Sequence, residues 1–489
     1  MKLKIELDRQ SETPLHRQLY DKMTGLILSG ALEPGARIPA SRALAEDLGI
    51  SRPTVIACLE QLVEEGYIET KPYSGSFVSS RIAASTLKRT LNPGAKAKPA
   101  AIADYELSSY GKFIAGTPEI AARLEPEISF YCWRPALDQF PIAEWGRVLG
   151  KHTRNSSVGM LDANWDPQGL LDLREALAKL VRRFRQVSCH PDQIFPVMGL
   201  NGGLDLVSRL HLDAGSGVVV EEPGFRPACF EACGAQLHAV PIDDDGLLVK
   251  KLPARRGREN FDLAYLTPAH QFPTGAVMPL ARRLEFLEWA KDSGTLVLED
   301  DYDSEYQYSG QPIPALMSLD RDQRVIYLGT LNQIMYPSLG FGYLIVPPRL
   351  VSLYRKARKM AGEQFSPQFQ AALAEFIAEG HLDRHVKRLR VLYRGRSDTL
   401  VAALERRFKD KVAIGSNRRG VFLSVAFNVG LDDDEIVERA LDAGVGLSSA
   451  REFYSRKKPS GQFILGFGSL TEKEIEKGVQ KLASALLSG

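Results

Sequence analysis

Ser51, Arg52 and Thr54 stand at the head of an apolar helical stripe formed by Val55, Leu59 and Leu62. Two hydroxyls and a guanidinium leading a helix suit entry into a DNA major groove, where short polar side chains make the first contacts. Arg42, on the segment before, stands where a cation can grip phosphate. Gly75 lies at a turn, where a missing side chain lets backbone approach DNA closely. The plain alternative for Arg42 and Arg52 is a pair of solvated surface arginines. Metal chemistry has poor support. The five cysteines (Cys58, Cys132, Cys189, Cys229, Cys233) are scattered and odd in number, only Cys229 and Cys233 lie close, and no Cys-x-x-Cys occurs.

Such side chains need rigid elements behind them. Pro39-Ala40-Ser41 precedes the apolar-periodic run Arg42–Leu48, so Ser41 is the expected N-cap. Gly49 then stops the helix, because glycine accepts the left-handed conformation after a helix end. Ser51 caps the next helix. Ile68-Glu69-Thr70, a turn from Pro72 to Gly75, and Ser76-Phe77-Val78 predict a hairpin. Helix, tight turn, capped helix and hairpin together predict a winged helix-turn-helix.

The rest of the 489 residues needs at least one more core. Arg81 to Ala101 carries Lys88, Arg89, Pro93, Gly94, Lys96, Lys98 and Pro99 with few large apolar groups, which is linker composition. The expected division is a DNA-binding module over 1–80, a linker over 81–127, and a large domain over 128–489 with subdomains at about 165–345 and 346–489. Leu173–Phe184 predicts an amphipathic helix. Gly217–Val220, Thr295–Leu298 and Val325–Leu328 predict short buried strands. Their alternation with helices predicts an α/β domain built on a parallel sheet. The basic run His385, Lys387, Arg388, Arg390, Tyr393, Arg394 and Arg396 predicts mainly the solvated face of a long helix.

No apolar run is long enough to cross a bilayer, and Met1–Glu6 has no apolar signal region. With scattered thiols, the expectation is a reduced cytosolic chain. Net charge is +2, which implies no partner; over residues 1–80 acids roughly balance bases, so any DNA contact there must come from a few placed cations and not from bulk charge.

Four runs closely resemble the winged helix of GntR-family regulators: Pro14-Leu15-His16-Arg17-Gln18-Leu19-Tyr20, Gly30 through Pro39, Ser51-Arg52-Pro53-Thr54-Val55, and Leu62 through Ile68. The resemblance covers nearly all of residues 12–78. It implies DNA binding as a dimer at paired half-sites, with Ser41, Arg42, Ser51, Arg52, Thr54 and Gly75 at DNA-contact positions.

Later phrases resemble the MocR/GabR branch of that family, whose effector domain is a fold-type I aminotransferase with a smaller C-terminal α+β subdomain. They are Trp133-Arg134-Pro135 with Phe140-Pro141 and Trp145, Asp166-Pro167-Gln168-Gly169 with Leu173-Arg174, Glu222-Pro223-Gly224-Phe225, Thr267 through Gly275, and Glu299 through Tyr306. The match spans residues 128–489 and implies a head-to-tail homodimer. It also implies a site for pyridoxal phosphate (PLP). Asp300 matches the carboxylate that faces the pyridine nitrogen and keeps it protonated. Tyr302 matches the partner of the ring hydroxyl, and Phe225 the stacking aromatic. His270 and Gln271 fall where polar contacts to the ring are expected, although a turn-stabilising role suits them equally. Asn201 belongs to the phosphate loop.

Other devices of that site are missing. Asn332-Gln333 stands where the family usually reads Ser-Lys, and a glutamine amide cannot form an imine. No lysine occurs between Lys291 and Lys356. Gly340 replaces a phosphate-gripping arginine, Leu200 a hydroxyl residue, and Ile464 the arginine that pairs with a substrate carboxylate. The resemblance therefore implies a transcription regulator with no covalent PLP and no transaminase turnover, its cleft open to noncovalent PLP or another, less anionic effector. A PLP enzyme with an accessory DNA-binding domain, which Gln333 speaks against, and a ligand-free dimerisation scaffold are the alternatives.

Overall fold

The computed structural model describes residues 3, 5–81, 106–118, 126–162, 166–252, 261–308, 313–362, 364–455 and 459–487. The chain divides into two compact units, Met1–Glu106 and Leu107–Gly489.

In the first unit, α1 (Leu15–Leu28) places Leu19, Met23 and Ile27 on one face by helical spacing, and all three are buried. They meet Leu44 of α2 (Ser41–Leu48) and Val55, Cys58 and Leu62 of α3 (Arg52–Glu64) in a single core. Gly49 ends α2 at φ 63°, as expected. Ser51 caps α3, its Oγ accepting from the Thr54 N–H at 3.3 Å. Ser41 is not a cap: it is the first residue of α2, Ala40 holds the cap position, and no side chain caps that helix. A hydroxyl one residue inside the helix is spared for other contacts. The wing is antiparallel β1 (Ile68–Lys71) and β2 (Gly75–Val78), in register from Ile68 opposite Val78 to Lys71 opposite Gly75.

The second unit starts inside the stretch expected as linker: α4 (Ser109–Gly116) is capped by Ser108, whose Oγ accepts from Gly111 N–H at 3.1 Å. β3 (Ile128–Ser129) is followed by β4 (Ile194–Met198), which runs into α5 (Gly199–His211), then by β5 (Gly217–Glu222), β6 (Gln236–Asp243), β7 (Gly246–Leu247), β8 (Phe261–Leu266), β9 (Leu296–Asp301), β10 (Val325–Thr330) and β11 (Phe341–Ile345). The main sheet has the order β4-β11-β10-β9-β8-β5-β6-β7. β10, β9, β8, β5 and β6 are mutually parallel, as expected, but β11 is antiparallel to both β10 and β4. The connection from Leu331 to Gly340 is too short for a crossover, so the chain can only turn back.

Strand alternation serves two cores. Val218 and Val220 join Leu298, Ile326 and Leu328 on one face, while Val219 joins Val297 and Val325 on the other. The amphipathic helix Leu171–Arg185 packs Leu173, Leu177 and Leu180 against Tyr327 and Ile345.

The long helix α6 (His381–Phe408) leads to the second sheet, formed by β12 (Val412–Ile414), β13 (Phe422–Phe427), β15 (Ser448–Ser449) and β16 (Gln462–Gly466) in the order β12-β13-β16-β15. β14 (Val445–Gly446) pairs with β3 in parallel, and α7 (Glu472–Leu487) closes this subdomain. The basic run on α6 is not one solvated face. Lys387, Arg388 and Arg394 are exposed, but His385, Tyr393 and Arg396 are buried. Tyr393 Oη accepts from Ala136 N–H, Arg390 Nε donates to Glu305 O, and Arg396 donates to Gly468 O. Tyr393 and Arg390 tie the C-terminal subdomain to the rest of the unit, and Arg396 braces it internally.

Candidate functional site

In the first unit, Arg42, Ser51, Arg52 and Gly75 are exposed, and Ser41 and Thr54 are half-buried. The Ser51 and Thr54 hydroxyls lie 2.7 Å apart at the start of α3, with Pro53 preset in its first turn. Arg52 Nε reaches Ser41 Oγ at 3.5 Å, so the head of α3 and the head of α2 present one polar face. Gly75 adopts φ 108°, and a Cβ there would lie 3.5 Å from Arg37 Nε. Arg37 was not among the expected contacts. It bridges to Phe77 of the wing, a neighbour that only the folded hairpin reveals.

In the second unit a cavity of about 440 Å³ opens at the carboxyl ends of the parallel strands. This is where open α/β sheets bind ligands. Asp300, Tyr302, Phe225 and Asn201 of the expected set line it, together with Leu200 and Gly340. Gly199 and Asn332 are on the wall too, and Trp133, Met198, Tyr265, Thr267 and Phe272, which were not singled out as pocket residues, complete it from strand ends and turns far apart in the chain.

Asp300 is 3% exposed. The Tyr265 O–H donates to its Oδ2 at 2.6 Å, while Oδ1 has no partner. Burial pushes the carboxyl up to about 7, against the hydrogen bond from Tyr265, which lowers it. Tyr302 O–H donates to His270 O at 2.5 Å. Trp133, at φ 68°, lies with its ring 4.9 Å from Phe272 and 5.0 Å from Tyr302. Asn332 Oδ1 accepts from Phe341 N–H at 3.0 Å, which leaves its amide N–H groups to donate.

His270 and Gln271 do not line the cavity; of the two roles expected for them, ring contact and turn stabilisation, they take the second. His270 Nδ1 is held 2.9 Å from Asp303, and its ring stacks on Phe422 at 4.5 Å. Gln271 donates to Pro223 O and Phe272 O and accepts from both the N–H and the hydroxyl of Thr274. Both are consumed in fixing the turn that carries Phe272. Beneath it, buried Glu221 accepts from Thr267 N–H and Oγ–H, and burial raises its carboxyl to about 7.

The positions expected to lack cofactor chemistry are placed as follows. Asn332 is on the wall, and Gln333 beside it is buried with Oε1 unpaired. Gly340 lines the cavity at φ 60° with open space where a side chain would start. Ile464 is buried in an apolar cluster with Phe272, Tyr302, Phe422 and Ala450. Among the described residues no lysine, arginine or histidine lines the cavity. The unpaired Asp300 oxygen and the Phe225 ring fit a protonated pyridine ring, but the wall does not fit tethered PLP: it offers neither an amine for the aldehyde nor a cation for the phosphate.

A winged helix-turn-helix in one unit and an α/β domain with an open strand-end cleft in the other define the class: a helix-turn-helix regulator joined to an enzyme-like α/β domain. Residues 15–78 match the bacterial regulatory proteins of the gntR family, and residues 148–482 match aminotransferase class I and II. The chain is 34% identical to a probable rhizopine catabolism regulatory protein, MocR, of Rhizobium meliloti over 99% of its own length and 96% of that protein's. It is 29% identical to the HTH-type pyridoxine biosynthesis transcriptional regulator PdxR of Corynebacterium glutamicum, over 100% and 99%. Among solved structures, a kynurenine aminotransferase of Pyrococcus horikoshii superposes with a TM-score of 0.67 at 26% identity, covering 78% of this chain and 99% of that one. The chain belongs to the MocR-type GntR-family transcription regulators, with an aminotransferase class I/II domain of fold type I. No helix among the described residues is long and apolar enough to cross a membrane.

Proposed function

We propose that this regulator senses a small-molecule effector in the Asp300 cavity, without transaminase turnover and without an internal PLP aldimine. The supporting observation is the wall at Asn332, with Gln333 buried behind it. Neither side chain is a nucleophilic amine, and imine formation requires one. Gly340 and Leu200 add no charge where a phosphate would sit, so two separate anchors are lost together. The domain keeps the cleft and loses the chemistry.

On DNA, Ser51, Arg52 and Thr54 enter the major groove, with Ser41 and Arg42 on the backbone and Gly75 at the wing. Two copies in a head-to-tail dimer read paired half-sites, and the effector biases the two winged modules toward or away from that spacing.

The test is borohydride treatment of the full chain with equimolar PLP, followed by peptide mass mapping. The expected result is substoichiometric labelling spread over exposed lysines such as Lys387, with no single site filled. Stoichiometric gain of one phosphopyridoxyl group at one side-chain nitrogen overturns the proposal.

A further inference from the structure

We infer that Tyr73, at the tip of the wing, is a DNA-specificity residue: it enters the minor groove, where its phenol O–H donates to the base edge of an A·T pair. This rests on the reading of the first unit as a DNA-binding face and adds to it one residue and one base preference.

The tip is tightly built. Lys71 pairs with Gly75, so Pro72, Tyr73 and Ser74 alone lie beyond the ladder. Ser74 N–H donates to Lys71 O at 3.0 Å and closes the turn. Pro72 takes its second position and Tyr73 its third, at φ 61°. Glycine or asparagine ordinarily fills that left-handed place, and a bulky side chain there is strained. No burial offsets the strain, because Tyr73 is wholly exposed. Strain held at an exposed aromatic points outward, to a partner.

The surroundings identify the partner. Residues 70–77 contain no carboxylate. Lys71 and Arg37 are exposed cations at the base of the tip. Lys71 Nζ lies 5.2 Å from the centre of the Phe77 ring, and Arg37 Nε would lie 3.5 Å from a Cβ on Gly75. An aromatic between two cations suits a polyanion whose phosphates border a groove. The tip is also continuous with the face already described. A groove of about 1010 Å³ runs from Ser41 on α2 to Thr70, Gly75 and Ser76 on the wing, and Arg52 reaches that same Ser41.

Shape and chemistry select the groove. The head of α3 takes the major groove. A three-residue tip is narrow enough for the minor groove, about 6 Å wide. There A·T and T·A pairs show only acceptors, adenine N3 and thymine O2, which a phenol O–H can satisfy. Guanine adds an amino group that fills the groove floor and keeps a ring from seating.

The experiment takes the full chain and the duplex it enriches from a random pool. A second copy of that duplex carries 2,6-diaminopurine in place of every adenine. This base adds an amino group in the minor groove and leaves the major-groove edge unchanged. Fluorescence anisotropy should show the parent chain binding the modified duplex about tenfold more weakly, the cost of a mismatched contact. Tyr73→Phe keeps the strain and loses the donor: it should melt with the parent and bind the unmodified duplex about fivefold more weakly. Tyr73→Gly should melt a few degrees higher, because glycine takes the left-handed place freely. It should nevertheless bind about tenfold more weakly and no longer distinguish the two duplexes. Parent indifference to the added amino group, parent-like binding by either variant, or discrimination that survives Tyr73→Gly overturns the inference. Arg52→Ala checks the reading beneath it. Loss of affinity there with no effect at Tyr73 sinks the wing assignment alone; a chain that enriches no duplex, or binds equally after Arg52→Ala, sinks the DNA face itself.

Discussion

The Tyr265 phenol donates to Asp300 Oδ2 at 2.6 Å, and the other carboxylate oxygen is buried without a partner. The same carboxyl is raised to about 7 by burial. An unfolded aspartate titrates near 4, so between about pH 4 and pH 7 the folded chain holds a proton that the unfolded chain has lost. Stability therefore falls as pH rises through that window, and the whole cost is present above it. Asp300→Asn removes the cost. Its melting temperature relative to the parent should be near zero at pH 4 and higher by several degrees at pH 8 in thermal denaturation. A difference that does not grow with pH contradicts the assignment.

Gln333 leaves Oε1 buried and unpaired, while its backbone carbonyl accepts from Tyr306 O–H at 2.8 Å. Replacing an unsatisfied buried amide by an apolar chain of similar length relieves desolvation and keeps the backbone contact. Gln333→Met should stabilise the chain by about 1–2 kcal/mol in urea denaturation. A loss of stability would mean that the amide has a ligand or water partner.

Much of the fold could be read from local physics. Gly49, Ser51 and the hairpin turn are backbone demands that only certain residues meet, and each fell where expected. The buried strands were visible as short apolar runs. The cavity was harder. Asp300 and Asp301 are neighbours, yet strand alternation sends one to Tyr265 and the cavity and the other to Arg185 and Tyr327. Turn geometry does the same after β8: Phe272 reaches the wall, while His270 and Gln271 are spent on Asp303 and Thr274. Trp133 stood out only as part of an entry phrase, because its left-handed backbone has no sequence signal of the kind glycine gives. The antiparallel turn of β11 follows from loop length, which strand patterning ignores.

At the DNA face, Arg42 and Arg52 are exposed cations on adjacent helices. Arg42→Ala should weaken binding to all sequences and lower the slope of log affinity against log salt by about 0.9, one phosphate contact. Arg52→Ala, at the head of α3, should also relax sequence preference, with an affinity loss of about 1–3 kcal/mol on the preferred site. Fluorescence anisotropy on specific and scrambled duplexes at several salt concentrations separates them. An unchanged salt slope for both variants would make them solvated surface residues.

Ser51 should contribute through structure before contact. Its Oγ accepts from Thr54 N–H, so Ser51→Ala should cost about 1 kcal/mol of stability in the first unit. Ser51→Asp restores the cap but sets a negative charge at the groove-facing end of α3. It should recover thermal stability and still bind DNA poorly. Recovery of both by aspartate would leave Ser51 a cap only.

Ile464 tests whether the lost carboxylate clamp can simply be put back. If the position were a vacant clamp site, Ile464→Arg would fit and confer affinity for small carboxylates. The structure argues otherwise. Ile464 is 1% exposed and belongs to a closed apolar cluster with Phe272, Tyr302, Phe422 and Ala450. A guanidinium placed there gains no carboxylate from that cluster and must bury its charge or push the cluster apart. The expected outcome is a loss of more than about 3 kcal/mol in denaturant unfolding, with no gain in carboxylate binding by calorimetry. A folded Ile464→Arg variant that binds carboxylates would show that the cleft retains the geometry of an amino-acid site and that its present occupant is chosen by charge alone.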